Sequence, residues 1–146
     1  MKAKYVVGVV LGVAVLLFGY YAISPLFRNV AMNDAVPAGS TQSASAQVVG
    51  TTGHPASGSV RVVTAENKRY IRYEDFSTIN GPDIYVYLAK DLDAKEFVSL
   101  GKVKATSGNV NYEIPAGVDP SEYPYVLTWC KAFSVLFNHA DLSQAF

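Results

Sequence analysis

Hydrophobic and polar positions divide the chain into three stretches. From Tyr5 to Phe27, "YVVGVVLGVAVLLFGYYAISPLF", 23 residues pass without a charge. At about 1.5 Å per helical residue such a run spans a hydrocarbon layer of roughly 30 Å. Residues 28–47 then turn small and polar, with "GSTQSASAQ" at Gly39 to Gln47, which predicts a flexible tether. From Val48 to Phe146 short β-branched and aromatic runs alternate with turn residues.

Seven such runs are legible: Ser57–Thr64, Arg69–Phe76, Ile84–Leu88, Glu96–Thr106, Val110–Ile114, Tyr125–Lys131 and Ser134–Leu142. "NGPD" at Asn80 to Asp83 is a turn signal, and Ala89 to Phe97 has room for one helical turn. The spacing predicts an all-β domain, an antiparallel sandwich or barrel-like fold, preceded by a single transmembrane helix. Period-two alternation puts Tyr125, Leu127 and Trp129 on one face of their strand and Val126, Thr128 and Cys130 on the other. The bulkier Trp129 set is the expected main-core face.

Charge refines the first segment. Lys2 and Lys4 precede the apolar run, and Tyr20 and Tyr21 lie near its far end, where interfacial aromatics belong. The expected topology is single-pass in the cell membrane. Residues 1–4 are cytoplasmic, residues 5–27 are a signal anchor in the lipid bilayer, 28–47 are the tether, and 48–146 form the extracytoplasmic domain. A cleaved signal peptide is the competing reading, but its apolar region is usually shorter and is followed closely by a small-residue site. No cysteine follows the run, which removes a lipoprotein.

Lys plus Arg and Asp plus Glu each total 12, so no basic excess argues for a nucleic-acid partner. Residues 48–146 carry nine basic and eleven acidic side chains, a net charge of −2. Cys130 is the only cysteine, so no intrachain disulfide staples the fold.

Cys130 is therefore the first candidate for chemistry. A thiolate serves as redox centre, metal ligand or nucleophile, whereas a buried thiol is a small hydrophobe. With His54 and His139 it makes one sulfur and two nitrogens, the ligand set of a blue-copper centre. Nine residues separate Cys130 from His139, and neither methionine lies in the domain, so the compact copper loop is missing. Covalent haem attachment needs C-x-x-C-H, which is absent, while noncovalent haem needs only an axial ligand and a pocket. Tyr70, Tyr73, Tyr85, Tyr87, Tyr112, Tyr123 and Tyr125, with Trp129, supply oxidisable rings, a flat platform for sugar, or simply half-buried strand residues. No G-x-S-x-G elbow, phosphate loop or N-x-S/T sequon occurs.

Four stretches together resemble a known family, the DM-thirteen domain. They are "GHPASGSV" (Gly53–Val60), "YIRYEDFSTINGPDIYVYL" (Tyr70–Leu88), "LGKVKATSGNVNYEIP" (Leu100–Pro115) and "YVLTWCKAFSVLF" (Tyr125–Phe137). The resemblance covers nearly all of residues 50–142. It implies an all-β extracellular module with a role in electron transfer or thiol redox, and places Cys130 at the position of the family's redox cysteine. The expected function is an accessory redox domain without independent turnover. Cys130 is its redox-active or ligating residue, Trp129 shapes its pocket, His54 joins Trp129 and Cys130 in binding a cofactor, and His54 and His139 are candidates for proton transfer or for ligating a metal with Cys130. Haem, copper or no cofactor at all are the alternatives, and a redox or cell-surface protein is the expected partner. The alternative is a surface binding or adhesion module with a structural cysteine.

Overall fold

The computed structural model describes residues 2–146. Lys2–Ile23 form helix α1, apolar on every side and with no residue buried against the rest of the chain. Such a helix has no polar face to turn to water and suits a lipid environment. Pro25 lacks the donor a continuing helix needs, and Ser24–Phe27 tighten into a 3-10 turn. The helix is long and apolar enough to cross a membrane, a test a signal sequence also passes.

The seven predicted runs form seven strands: β5 (Ala56–Ala65), β6 (Lys68–Thr78), β7 (Ile84–Ala89), β8 (Phe97–Lys102), β9 (Ser107–Glu113), β10 (Tyr125–Cys130) and β11 (Val135–Asp141). Four short strands precede them: β1 (Ala31–Asn33), β2 (Thr41–Gln42), β3 (Ala46–Gln47) and β4 (Val49–Gly50). The first sheet runs β1-β9-β6-β5-β2, with β3 also on β5, and the second runs β4-β11-β10-β7-β8. All pairings are antiparallel except β1 with β9. The fold is all-β, two sheets packed as in a sandwich, with no closed barrel.

Residues 28–47 differ from the flexible tether their composition suggests. Met32 pairs with Gly108 across β1 and β9. Arg72 Nη1 donates to the Asp34 carbonyl at 3.0 Å, Asn111 N donates to the Asp34 carboxylate at 2.9 Å, and Asn111 Nδ2 donates to the Ala35 carbonyl at 2.9 Å. Small polar residues lack packing bulk, but their backbone still completes an open sheet edge. Asp91 likewise replaces the possible helical turn after β7, its carboxylate accepting from the amides of Asp93 and Lys95.

The core between the sheets joins Val60, Val62, Ile71, Tyr73, Val110 and Tyr112 of the first sheet to Val86, Leu88, Val126 and Ala140 of the second. Val126 belongs to the face that also carries Thr128 and Cys130, so that face, not the Trp129 face, points inward. Side-chain size misleads here because the sheet's direction of packing decides the inner face. The outer face keeps its own apolar cover, with Tyr87, Ala89 and Leu127 buried beneath Tyr85, Ala94, Tyr125, Trp129 and Leu136.

Candidate functional site

Cys130 ends β10 with no exposed surface. It packs with Ile84 and Phe137, and Ile79, Val103 and Val135 close the cluster. Phe137 reaches inward because of a register shift. Thr128 pairs with Asn138 but Trp129 with Leu136, which leaves Phe137 as the extra residue of a bulge. Sequence alternation alone would have sent Phe137 to the face opposite Asn138, yet both are buried on the inner side.

His54 also packs on Phe137. The two rings stack with centroids 4.1 Å apart and 26° between their planes. A tight turn holds the imidazole: the His54 amide donates to the Thr51 carbonyl at 2.9 Å, and Nδ1 is 3.2 Å from Thr51 Oγ1. Thr51 Oγ1 donates to the Leu136 carbonyl at 2.8 Å. A hydroxyl has one proton, and a carbonyl that close requires it. Thr51 Oγ1 therefore accepts from His54 Nδ1–H, and in the neutral ring Nε2 carries the lone pair. Gly81 completes the arrangement, since a Cβ there would stand 2.9 Å from Phe137 Cζ.

Helix α1 reaches this same end of the domain. Phe18 meets Phe133, at the turn between β10 and β11, edge to face with centroids 6.3 Å apart. A cleft of about 240 Å³ remains between helix and domain, walled by Ala22 and Leu26 on one side and by His54, Gly81, Phe133 and Phe137 on the other. A larger hollow of about 520 Å³ runs along the helix itself between Gly19 and Arg28 and touches none of the candidate residues.

His139 stands elsewhere. It pairs with Leu127, whose side chain is on the outer face, so the second sheet separates it from Cys130. Its Nδ1 is buried without a partner. Among the described residues no three His, Cys, Asp or Glu side chains gather as a metal site. The expected Cys130, His54 and His139 set therefore does not fit a copper centre, because the strand alternation that buries Cys130 turns His139 away. Haem fits no better: a macrocycle would have to displace Ile84 and Phe137 to reach the sulfur. Trp129 is half-buried on the outer face and does not line the Cys130 cluster. The expected role for Trp129 in a cofactor pocket fails for the same reason as its assignment to the main core.

The tyrosines divide between the two faces. Tyr73 contacts Phe76 and Tyr112 at 4.4 and 5.7 Å inside the sandwich. Outside, Tyr87 stacks on Phe97 at 4.2 Å and lies 6.1 Å from Tyr85, whose ring also lies beneath the ammonium groups of Lys102 and Lys131. The sheet interrupts any single relay of rings.

The fold and site thus define a two-sheet β-domain with one sealed thiol, adjoined to an apolar helix. Residues 48–142 match the family described as Electron transfer DM13, and the chain belongs to that family. Neither a curated protein nor a solved structure matches it. Phe137, Thr51 and Gly81 were not distinguished in the sequence. The spacing of Thr51 and His54, with Pro55 stopping the turn, was the available signal for one of them.

Proposed function

We propose that the chain is a membrane-anchored accessory domain that carries electrons through a site centred on Cys130. Family membership supports the electron-transfer role. The observation that carries the site is the packed series Cys130, Phe137, His54, which runs from a sealed sulfur to a cleft at the end of the apolar helix. Thiol–disulfide exchange requires direct attack on sulfur by another thiolate, which the closed cluster blocks. Electron transfer needs only close packing, so burial favours it over exchange. In this reading residues 5–27 stay in the bilayer, Lys2 and Lys4 hold the N-terminus in the cytoplasm, and the β-domain faces outward.

The test is voltammetry with a visible spectrum and metal and haem analysis on the full chain in detergent, beside Cys130→Ser. A redox wave that the Ser variant loses supports the reading. No wave in either protein, or the same wave in both, removes it.

A binding module is the second reading, favoured by the aromatic cover of the outer face. Tyr85, Tyr87 and Phe97 with Lys102 and Lys131 present rings and cations together. Substituting Phe97 and Tyr85 together would abolish cell-surface attachment in this reading and leave any redox wave unchanged.

A further inference from the structure

The cleft beside His54, where the Cys130 series ends, has a lining chemistry of its own. Its walls belong partly to Ala22 of α1 and to Leu26 of the 3-10 turn that follows it, both beyond the Phe18 contact with Phe133. With the helix in a bilayer, these residues lie at its outer interface, next to Tyr20 and Tyr21. A ligand therefore reaches the cleft from the lipid phase. The lining is apolar apart from His54, and with Nδ1–H donated to Thr51 Oγ1, Nε2 of the neutral ring is left to accept a hydrogen bond. The ring's π-face is already shared with Phe137, and Gly81 leaves room for the Phe137 ring where any Cβ would collide.

We propose that this cleft binds the head group of a lipid-soluble hydroquinone. The flat ring lies among Phe133, Phe137 and His54, one phenolic O–H donates to His54 Nε2, and the hydrocarbon tail leaves along α1 into the bilayer. An acyl chain would fill the apolar walls but leave Nε2 unpaired, whereas a phenolic ring satisfies both. The volume of about 240 Å³ suits one substituted ring. The ligand would sit one aromatic ring away from Cys130. The inference rests on the electron-transfer reading for its purpose, and on the cleft alone for its chemistry.

The chain has two histidines, so ring-¹⁵N histidine labelling gives two resolvable sites. The full chain in detergent micelles is titrated under argon with decylubiquinol, its dimethyl ether, and decanol. The expected result is a saturable shift at His54 Nε2 with His139 unmoved. The ether, which cannot donate, should bind about tenfold more weakly. Leu26→Trp, which fills the cleft from the exposed helix side, should abolish the shift while the β-domain keeps its spectrum. Cys130→Ser should keep it. Absence of a saturable shift, an equal response to decanol or the ether, or indifference to Leu26→Trp overturns the proposal. A retained quinol shift in a chain whose redox wave ignores Cys130→Ser would instead overturn the Cys130 reading and leave the cleft assignment standing.

Discussion

His54 stacks on Phe137 with ring centroids 4.1 Å apart, and Phe137 packs in one buried cluster with Cys130, so a single aromatic residue links the only thiol to the wall of the cleft. The ring is thus a shield as well as a bridge. In the native protein Cys130 should be inert to an aromatic disulfide reagent and should react on unfolding. Phe137→Leu, which shortens the shield at modest cost, should raise the native reaction rate at least tenfold. His54→Ala should leave it nearly unchanged. Timed thiol titration checks all three.

Substitution of the thiol should be ranked by polarity and not by size. Cys130→Ser places a hydroxyl in a cell lined by Ile84, Phe137 and Val135 with no acceptor provided, and should cost about 1–3 kcal/mol. Cys130→Ala removes one atom and leaves a small void, with an expected cost of about 1 kcal/mol. Denaturant unfolding followed at Trp129 gives both values. A neutral Ser variant would mean that the cell admits water.

Two buried tyrosines make opposite predictions. Tyr112 Oη accepts from the Lys104 amide at 3.0 Å, so Tyr112→Phe orphans a donor and should cost about 1–3 kcal/mol. The Tyr73 hydroxyl faces Thr128 Oγ1, and neither makes a well-formed hydrogen bond. Tyr73→Phe with Thr128→Val should therefore be neutral or stabilising, because both polar partners go together. Thermal unfolding of the single and double variants separates the cases.

Alkali should unfold the domain through the same residues. Burial, partly offset by the Lys104 amide, pushes the Tyr112 phenol up to about 12. Burial pushes Tyr73 up as well. A folded-state value above the unfolded one, roughly 10, means that the native state holds its proton more tightly. That stability is complete below about pH 10 and is lost as pH rises toward about 12. Equilibrium unfolding from pH 9 upward should show this decline in the native chain, a shallower one in Tyr112→Phe, and the shallowest with Tyr73→Phe added.

The segment after α1 should be releasable without unfolding the rest. Arg72 and Asn111 hold Asp34 and Ala35, and Gly108, at a φ of +100°, leaves no space for a side chain beneath the Met32 carbonyl. Gly108→Ala and Asp34→Ala should each speed amide exchange at residues 30–36 by at least tenfold, with small effects on β6, β7 and β10. Exchange mass spectrometry reads this directly.

Much of the architecture was legible because each long strand carries its own alternation and its own turn residues. All seven runs from Ser57 to Leu142 became strands, and the apolar run became a helix. The inner face of β10 was not legible, since Leu127 and Trp129 look as suited to a core as Val126 and Cys130. Which set faces inward depends on the other sheet, information that no single strand contains. The short strands β1 to β4 were also hidden, because their pairing uses backbone groups that every residue possesses. At the site, Cys130 and His54 were visible as chemistry-bearing types. Their connection through Phe137 depends on a one-residue bulge in β11, and the exclusion of His139 depends on the same strand's alternation.

The parallel pairing of β1 with β9 has a consequence for motion. Twenty residues of free chain would let a domain wander roughly 25 Å from its anchor and turn at will. Here the chain is laced to the sheet immediately after the helix. With α1 in a bilayer, this pairing would hold the domain close above the end of the helix, like a buoy on a short stem. So placed, it would not sweep for distant soluble partners. In that setting encounters would depend on lateral diffusion within the plane, and a partner of the Phe133 end would already be at the lipid surface.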